Sequence, residues 1–393
     1  MVPDPVKVLY LSYDGLTDPL GQSQILPYLR GLAKSFAISI ISFEKKNRFE
    51  EEGLEIQSKC LSGNITWYPL MYHKSPPVLS TLYDVWKLYK KTKNIYKDQG
   101  FKIVHCRSYI TSLIGLRLKK KYGVKFIFDM RGFWADERIE GGLWNLKNPV
   151  FKLIYNYFKR KEQSFLNESD YVISLTENAK KEIIRQGFKS PLIVIPTCVD
   201  TDFFDPDRVN SESKAVLRNQ MGIKEKDFVL LYLGSWGTWY MTNEMMSFFS
   251  ALKKIYEHAK FLIVSPDKID TGNFEFSKDV IIKEAIRSEI PLYISLATFS
   301  ILLIKPSFSK KASSATKMGE LLAMNVPVIT NPGWGDVEQI VKATGSYFVD
   351  QFISQDIDIN FRPQTRAYCK TNLSLEFGVA QYARVYNQLA KNY

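Results

Sequence analysis

Apolar, β-favouring runs alternate with amphipathic helical patterns from one end of this 393-residue chain to the other. That alternation leaves few folds open. The runs at Val6–Tyr13, Ala37–Phe43, Ile65–Pro69, Ile103–Cys106, Phe126–Asp129, Tyr171–Leu175 and Leu192–Ile195 are mostly apolar on consecutive residues. Strands of that kind are covered on both faces, as in a parallel sheet with crossover helices. Helical stretches near 22–34, 79–97, 110–122, 149–167 and 177–186 supply the crossovers. A second series opens at Phe228-Val-Leu-Leu-Tyr-Leu-Gly234 and continues with strands at 261–265, 280–283, 301–304 and 326–330. Helices near 241–257, 314–324 and 336–343 separate them. The expected architecture is α/β: two doubly wound Rossmann-like domains facing an interdomain cleft at the carboxyl ends of their sheets, where open α/β sheets take ligands.

The joint sets the boundaries. Ile195-Pro-Thr-Cys-Val-Asp-Thr-Asp-Phe-Phe-Asp-Pro206 and the polar stretch to about 226 read as a linker. Residues 1–203 and 204–373 form the two domains, each within the usual domain range of about 50–250 residues. The last helical pattern, Ser374–Ala390, follows the completed second domain and is free to pack on either. Residues 374–393 are the candidate C-terminal helix returning to the first.

Several function classes drop out. No GxGxxG follows the strand at Val6 or the one at Phe228, and no GxxxxGK[ST] loop occurs, which argues against hydride transfer and P-loop chemistry. Cys60, Cys106, Cys198 and Cys369 are spaced for neither a zinc site nor a disulfide framework, and fit a reducing cytoplasm. The opening Met1-Val-Pro-Asp-Pro-Val-Lys lacks the pattern of a signal peptide, so the Asn64-Ile-Thr sequon is read as chance. The longest uncharged run, Phe228–Asn243, is 16 residues, short of the roughly 20 needed to span a bilayer.

Residues 302–339, LLIKPSFSKKASSATKMGELLAMNVPVITNPGWGDVEQ, are the most informative stretch. A buried strand delivers a lysine-bearing loop to a helix beginning near Ser314. Unpaired N–H groups and the helix dipole make such an N-terminus suitable for a diphosphate. Ser313, Ser314 and Thr316 add hydroxyls and Lys317 adds charge. Glu320, one turn further, is placed to accept both hydroxyls of a ribose. An ordinary Ser-capped helix with a solvated glutamate is the plainer alternative.

The segment Ser314-Ala-Thr-Lys-Met-Gly-Glu320-Leu-Leu-Ala-Met-Asn-Val-Pro-Val-Ile329 resembles the donor-binding helix and following strand of glycosyltransferase family 4, retaining sugar-nucleotide transferases of the GT-B architecture. The linker from Ile195 to Pro206 is similar to that family's interdomain signature, and Gly21-Gln22-Ser23 falls where the family places a glycine-rich loop. The resemblance implies that Glu320 binds the donor ribose and that Thr316 and Lys317 lie near the diphosphate. It places Gly21 and Gln22 by the diphosphate or the acceptor, and Gly234 and Ser235 on the donor. Three positions depart from the pattern. Ala312 stands where the family commonly has a second acid. The basic pair usual after Gly234 is missing, which leaves Lys305, Lys310 or Lys311 to supply the charge. Arg131 replaces the catalytic-region histidine. Arg131 is then the candidate contact to sugar or phosphate, with Asp136 and Glu137, expected in a loop, positioning an acceptor. An Arg131–Glu137 ion pair is the structural alternative. His105 is a second polar candidate or a satisfied structural histidine.

The resemblance implies a hexosyltransferase that uses a nucleotide sugar and needs no protein base, because the departing phosphate takes the acceptor proton. No cofactor is expected and, without a DxD-type acidic pair, no metal. The contrasting reading is a catalytically inactive nucleotide-sugar or nucleic-acid binding protein with the same fold.

Charge completes the picture. The chain carries 53 Lys and Arg against 41 Asp and Glu, and residues 1–200 hold 31 of the first and 20 of the second, leaving the rest near neutral. A basic half implies an anionic partner. In 79–97, Leu82, Val85, Trp86, Tyr89 and Tyr96 share a helical stripe, while Lys87, Lys90, Lys91, Lys93 and Lys97 lie mostly elsewhere; Arg117, Lys119, Lys120, Lys121 and Lys125 follow. That is the composition of an interfacial helix, with a core-packed helix as the alternative. Trp86, Lys87, Lys90 and Lys91 are the candidate membrane or acceptor docking residues. Nucleic acid is not an expected partner, since no RNP motif, zinc finger or comparable segment occurs. The expectation is a cytoplasmic protein, peripheral on the inner face of the cell membrane, serving lipid-linked or surface polysaccharide assembly.

Overall fold

The computed structural model describes residues 4–272, 274–354 and 365–391. Met1–Pro3, part of the start read above as lacking a signal peptide, residues 355–364 of the expected second domain, and 392–393 of the C-terminal assignment lie outside the described residues. The chain forms two units. The first runs to Pro196 and resumes at Leu375; the second is Thr197–Ser374.

In the first unit, β1 (Lys7–Leu11), α1 (Pro19–Gln24), α2 (Leu26–Leu32), β2 (Ala37–Glu44), α3 (Lys46–Ser62), β3 (Ile65–Met71), α4 (Leu79–Gln99), β4 (Ile103–Arg107), α5 (Ser108–Tyr122), β5 (Lys125–Asp129), α6 (Trp134–Glu140), α7 (Pro149–Glu168), β6 (Tyr171–Ser174), α8 (Glu177–Arg185) and β7 (Leu192–Val194) follow one another. The seven strands are all parallel in the order β3-β2-β1-β4-β5-β6-β7. The order reverses between β1 and β4, so a crevice opens at their carboxyl ends.

The second unit contains α9 (Ser211–Gln220), β8 (Val229–Leu233), α10 (Thr242–Ile255), β9 (Lys260–Val264), β10 (Val280–Lys283), α11 (Ile290–Ser295), β11 (Phe299–Leu302), α12 (Thr316–Ala323), β12 (Val328–Thr330), α13 (Val337–Thr344), β13 (Tyr347–Phe348), α14 (Val349–Ser354) and α15 (Thr365–Asn372). Its six parallel strands are ordered β10-β9-β8-β11-β12-β13, with the reversal between β8 and β11. Val229, Leu231 and Leu233 pack into one apolar cluster, and Leu230 and Tyr232 into another on the opposite face. Burial on both faces is why β8 is apolar at every position; each such side chain contributes roughly 1.5–3 kcal/mol.

The last helix, α16 (Leu375–Lys391), packs in the first unit. Its Tyr382, Val385, Tyr386 and Leu389 are buried. Gly31 of α2 makes the notch that admits it, since a Cβ there would lie 2.6 Å from Val379 Cγ2. The first unit ends at Pro196, not 203, because the next residues bond within the second. Thr197 N–H donates to Ser314 Oγ at 3.0 Å, and the Arg366 guanidinium donates to the carbonyls of Thr201 and Phe204 at 3.0 and 2.6 Å.

Local departures from the sequence reading have identifiable causes. The polar stretch after the joint contains α9, a helix with no buried residue, and α3 shows no clear apolar periodicity because only Gly53, Ile56 and Cys60 of its 17 residues are buried. Asp136 and Glu137 lie in the first turn of α6, not in a loop. The helix expected from Ser314 begins at Thr316. In α4 the buried face is Ser80, Asp84, Leu88, Thr92 and Ile95, so the expected apolar stripe is not the core-facing one: Leu82 and Trp86 are 60 and 54% exposed.

Candidate functional site

In the second unit the loops after β8 and β11 meet at the reversal of strand order. They are stitched together: Lys305 N–H donates to the Trp239 carbonyl at 2.9 Å and Met241 N–H to the Leu303 carbonyl at 3.1 Å. Gly234 leaves β8 at φ 135°, a conformation open to glycine and little else. A Cβ on it would lie 4.0 Å from the Lys317 side chain, so this backbone runs beside the start of α12. Ser235 offers its carbonyl to the Tyr232 hydroxyl. Lys305 is exposed, while Lys310 is buried with its ammonium 3.8 Å from the Trp239 ring centre.

Thr316 and Lys317 open α12, where unpaired N–H groups concentrate. One turn on, Glu320 is 1% exposed. Lys317 Nζ lies 3.1 Å from its Oε2 and Arg287 Nη1 3.4 Å from its Oε1. Each carboxylate oxygen keeps a lone pair beyond these contacts. The two cations are 31 and 46% exposed, so they can exchange partners at little desolvation cost. Arg287 also lies over the rings of Phe203 and Phe204, at 5.3 and 5.5 Å. No periodicity marked Arg287. It sits in a short turn after β10 and is brought to α12 only by the tertiary fold.

In the first unit the carboxyl edge carries a different arrangement. Asp129, at the end of β5, is fully buried. Tyr382 donates its hydroxyl to Asp129 Oδ2 at 3.1 Å, His105 Nε2 lies 3.3 Å from the same oxygen, and Tyr386 O–H lies 2.7 Å from His105 Nδ1. Burial alone would raise the Asp129 carboxyl, but Arg131, His105 and Arg107 outweigh it and hold it below the usual range. Burial pulls His105 below the ordinary imidazole range against the opposing pull of Asp129. The consistent state is a carboxylate beside a neutral imidazole that donates from Nε2 and accepts the Tyr386 proton at Nδ1. His105 is therefore the satisfied structural histidine.

Arg131 follows Asp129 with φ 55° and its Nη1 is 3.9 Å from Asp129 Oδ1, an oxygen with no hydrogen-bond partner. A non-glycine residue held in the left-handed region at a strand end is the kind of strain that collects at working sites. At the reversal of strand order, Arg107 Nε reaches Asp14 Oδ2 at 3.3 Å. Both lie in the crevice between β1 and β4; the only local signal for either is that Arg107 directly ends an apolar strand.

Other expected residues have structural partners. Asp136 accepts from Tyr155 Oη at 2.9 Å and Lys159 Nζ at 2.8 Å, which ties α6 to α7. Glu137 lies beside it in the same turn. Gly21 packs so closely on the loop after β1 that a Cβ would come within 2.0 Å of the Gly15 carbonyl oxygen. Gln22 donates to Glu52 and, at 3.3 Å, to the Thr17 carbonyl. On α4, Trp86 stacks on Tyr83 with centroids 5.9 Å apart; Lys87 and Lys90 lie over the Tyr83 and Trp86 rings, and Lys91 over Tyr68. Among the described residues no cluster of His, Cys, Asp and Glu is arranged to hold a metal ion, and no helix is long and apolar enough to cross a membrane.

Residues 25–203 match the model of Glycosyltransferase Family 4, and the chain resembles that family. No curated protein matches the sequence. Among solved structures, a glycosyltransferase from Rickettsia africae ESF-5 is similar at TM-score 0.69 and 16% identity, covering 100% of both chains. Sucrose-phosphate synthase from Thermosynechococcus elongatus is similar at TM-score 0.69 and 12% identity over 99% of this chain and 100% of that one. Anabaena Alr3699/HepE, solved in complex with UDP, is similar at TM-score 0.69 and 11% identity over 98% and 100%. Identities this low speak to fold, and the fold is GT-B. The family match and the fold together support a glycosyltransferase role.

Proposed function

We propose that this chain is a retaining glycosyltransferase that moves a hexose-type sugar from a UDP- or GDP-sugar to a glycan hydroxyl, in lipid-linked or surface polysaccharide assembly. The observation that carries the proposal is the buried Glu320 carboxylate, clamped by Lys317 and Arg287 one turn into α12. It lies on the helix that opens beside the Gly234 backbone. A ribose fits the free lone pairs of Glu320. A diphosphate fits the α12 N-terminus, with Lys317 and the loop lysines Lys305 and Lys310 supplying charge that the segment after Gly234 lacks. The Anabaena neighbour is also solved with UDP-glucose, which supports the same donor class here.

The first unit then serves the acceptor, with Arg131 at its carboxyl edge contacting sugar or phosphate and Glu137 nearby. Asp136 acts through its hold on α7. In the transfer, the acceptor oxygen bonds the anomeric carbon while the bond from that carbon to the diphosphate oxygen breaks. The acceptor proton passes to the departing phosphate on the same face, so anomeric configuration is kept. No metal takes part, and activity abolished by a chelator would refute that clause.

The exposed Trp86 with Lys87, Lys90 and Lys91 supports peripheral attachment to an anionic membrane face. Calorimetric titration of UDP and GDP into wild type and Glu320→Ala tests the donor site: one nucleotide is expected to lose about 100-fold in affinity, since two charge-assisted hydrogen bonds are worth about 3 kcal/mol together. Equal affinity in the two proteins rejects the site.

A further inference from the structure

The start of α7 carries apolar side chains that have no part in the proposed chemistry. Val150, Leu153 and Tyr157 are 53, 65 and 40% exposed, and Leu143, in the segment before the helix, is 62% exposed. The three on the helix are spaced i, i+3, i+7 and share one helical stripe. The core-facing residues of α7 are Phe158, Glu162, Phe165 and Leu166 instead. Residues 141–161 contain five basic residues, Lys147, Lys152, Lys159, Arg160 and Lys161, and no acidic one. Lys159 is committed to Asp136 and Glu162. Of the other four, Arg160 and Lys161 flank the stripe on the helix, Lys147 precedes it and Lys152 lies further round; Lys161 lies over the Tyr157 ring at 5.7 Å.

Topology relates this patch to the one on α4. Crossover helices of a parallel sheet begin at the carboxyl edge of the strands they leave. The crossovers β3 to β4 and β5 to β6 step across the sheet in the same direction, so their right-handedness puts α4 and α7 on the same face. Helix α5 packs against both. Two interaxial distances of 8–10 Å then separate the helix starts by roughly 20 Å. Val78, Leu79, Leu82, Tyr83 and Trp86, 40 to 63% exposed, cap the other start.

We infer that the starts of α4 and α7 form one surface that seats the first unit on an anionic lipid bilayer, with α7 supplying a second point of insertion. This rests on the membrane reading of α4 and extends it. Cations with no acid among them complement anionic headgroups. Separate protruding aliphatic side chains with basic neighbours suit the headgroup boundary, where long basic stems snorkel. Two seats fix an orientation that one cannot: the carboxyl edge of the sheet, with Arg131 on it, is turned towards the headgroups.

The test is co-sedimentation of the full chain with vesicles of phosphatidylcholine and phosphatidylglycerol at 3:1, against phosphatidylcholine alone. Wild type, Val150→Glu/Leu153→Glu, Lys87→Glu/Lys90→Glu/Lys91→Glu and the combined variant are compared, with thermal melts to establish that each is folded. The α7 variant is expected to partition at least tenfold less than wild type, and the combined variant no better than wild type on neutral vesicles. Wild-type partitioning by the α7 variant overturns the inference and leaves the α4 reading standing if the lysine variant is released. No wild-type binding to anionic vesicles overturns both. A wild type that dimerises without lipid at micromolar concentration, with a monomeric α7 variant that still binds vesicles, overturns the inference and assigns the stripe to a second copy of the chain.

Discussion

Asp129 and Glu320 are both fully buried carboxylates in parallel-sheet units, and both have an arginine and a second partner beside them, yet their surroundings differ. Asp129 is fixed by the hydroxyl of Tyr382 and the imidazole of His105, both buried, and the Arg131 guanidinium stands 3.9 Å away. Glu320 is held by two cations at 3.1 and 3.4 Å that are themselves a third to a half exposed. Tyr382 and His105 cannot leave Asp129 without opening the core, whereas the two cations on Glu320 can trade partners. Burial of a carboxylate alone therefore does not distinguish the two; the exposure of what surrounds it does.

Separating stability from ligand affinity at these two positions sharpens the contrast. Asp129→Ala is expected to cost the most, about 3–5 kcal/mol of stability, because Arg131 loses its counter-charge and two buried donors lose an acceptor. Denaturant unfolding measures it, and a loss under 1 kcal/mol would break the comparison. Glu320→Gln should do the reverse. It is expected to weaken nucleotide binding about tenfold by calorimetry, while stability shifts by no more than about 1 kcal/mol because the freed cations are hydrated.

Acid should act through the first cluster. His105 has its folded value depressed below 6.5, so the unfolded chain binds its proton first. The His105 contribution to stability is then complete above pH 6.5 and falls as pH drops towards the folded value. Asp129, also depressed in the folded state, adds a loss in the same direction below the ordinary carboxylate range. Unfolding free energies measured from pH 7.5 to 5 should fall for wild type and fall less for His105→Asn. Parallel curves would contradict the neutral, buried imidazole. The smallest effect belongs to Tyr382→Phe, about 1 kcal/mol for one hydrogen bond to Asp129, read as a shift in the denaturant midpoint.

Strands were legible because two-sided burial writes itself as continuous apolarity, and β8 is the clearest case. Helix α3 was not, because a long helix with a narrow buried strip looks polar at almost every position. In α4 the apolar stripe was visible but its role was not. The face that packs inward includes Ser80, Asp84 and Thr92, and Asp84 accepts from Tyr13 Oη at 3.0 Å and from the His73 backbone N–H at 3.2 Å. Thr316, Lys317 and Glu320 could be read as a group because a helix start is local. Arg287, Arg107 and Tyr382 could not, since each reaches its partner from a distant part of the chain.

The return of α16 to the first unit has a consequence for synthesis. Tyr382 and Tyr386, which complete the hydrogen bonds of Asp129 and His105, are translated after the whole of Thr197–Ser374, a stretch of 178 residues (374 − 197 + 1). At roughly 5–20 residues per second the ribosome needs about 10–35 s to make it. Through that interval the nascent first unit carries an open notch at Gly31 and a half-satisfied charge cluster. A chain stopped before Leu375 leaves it in that condition permanently.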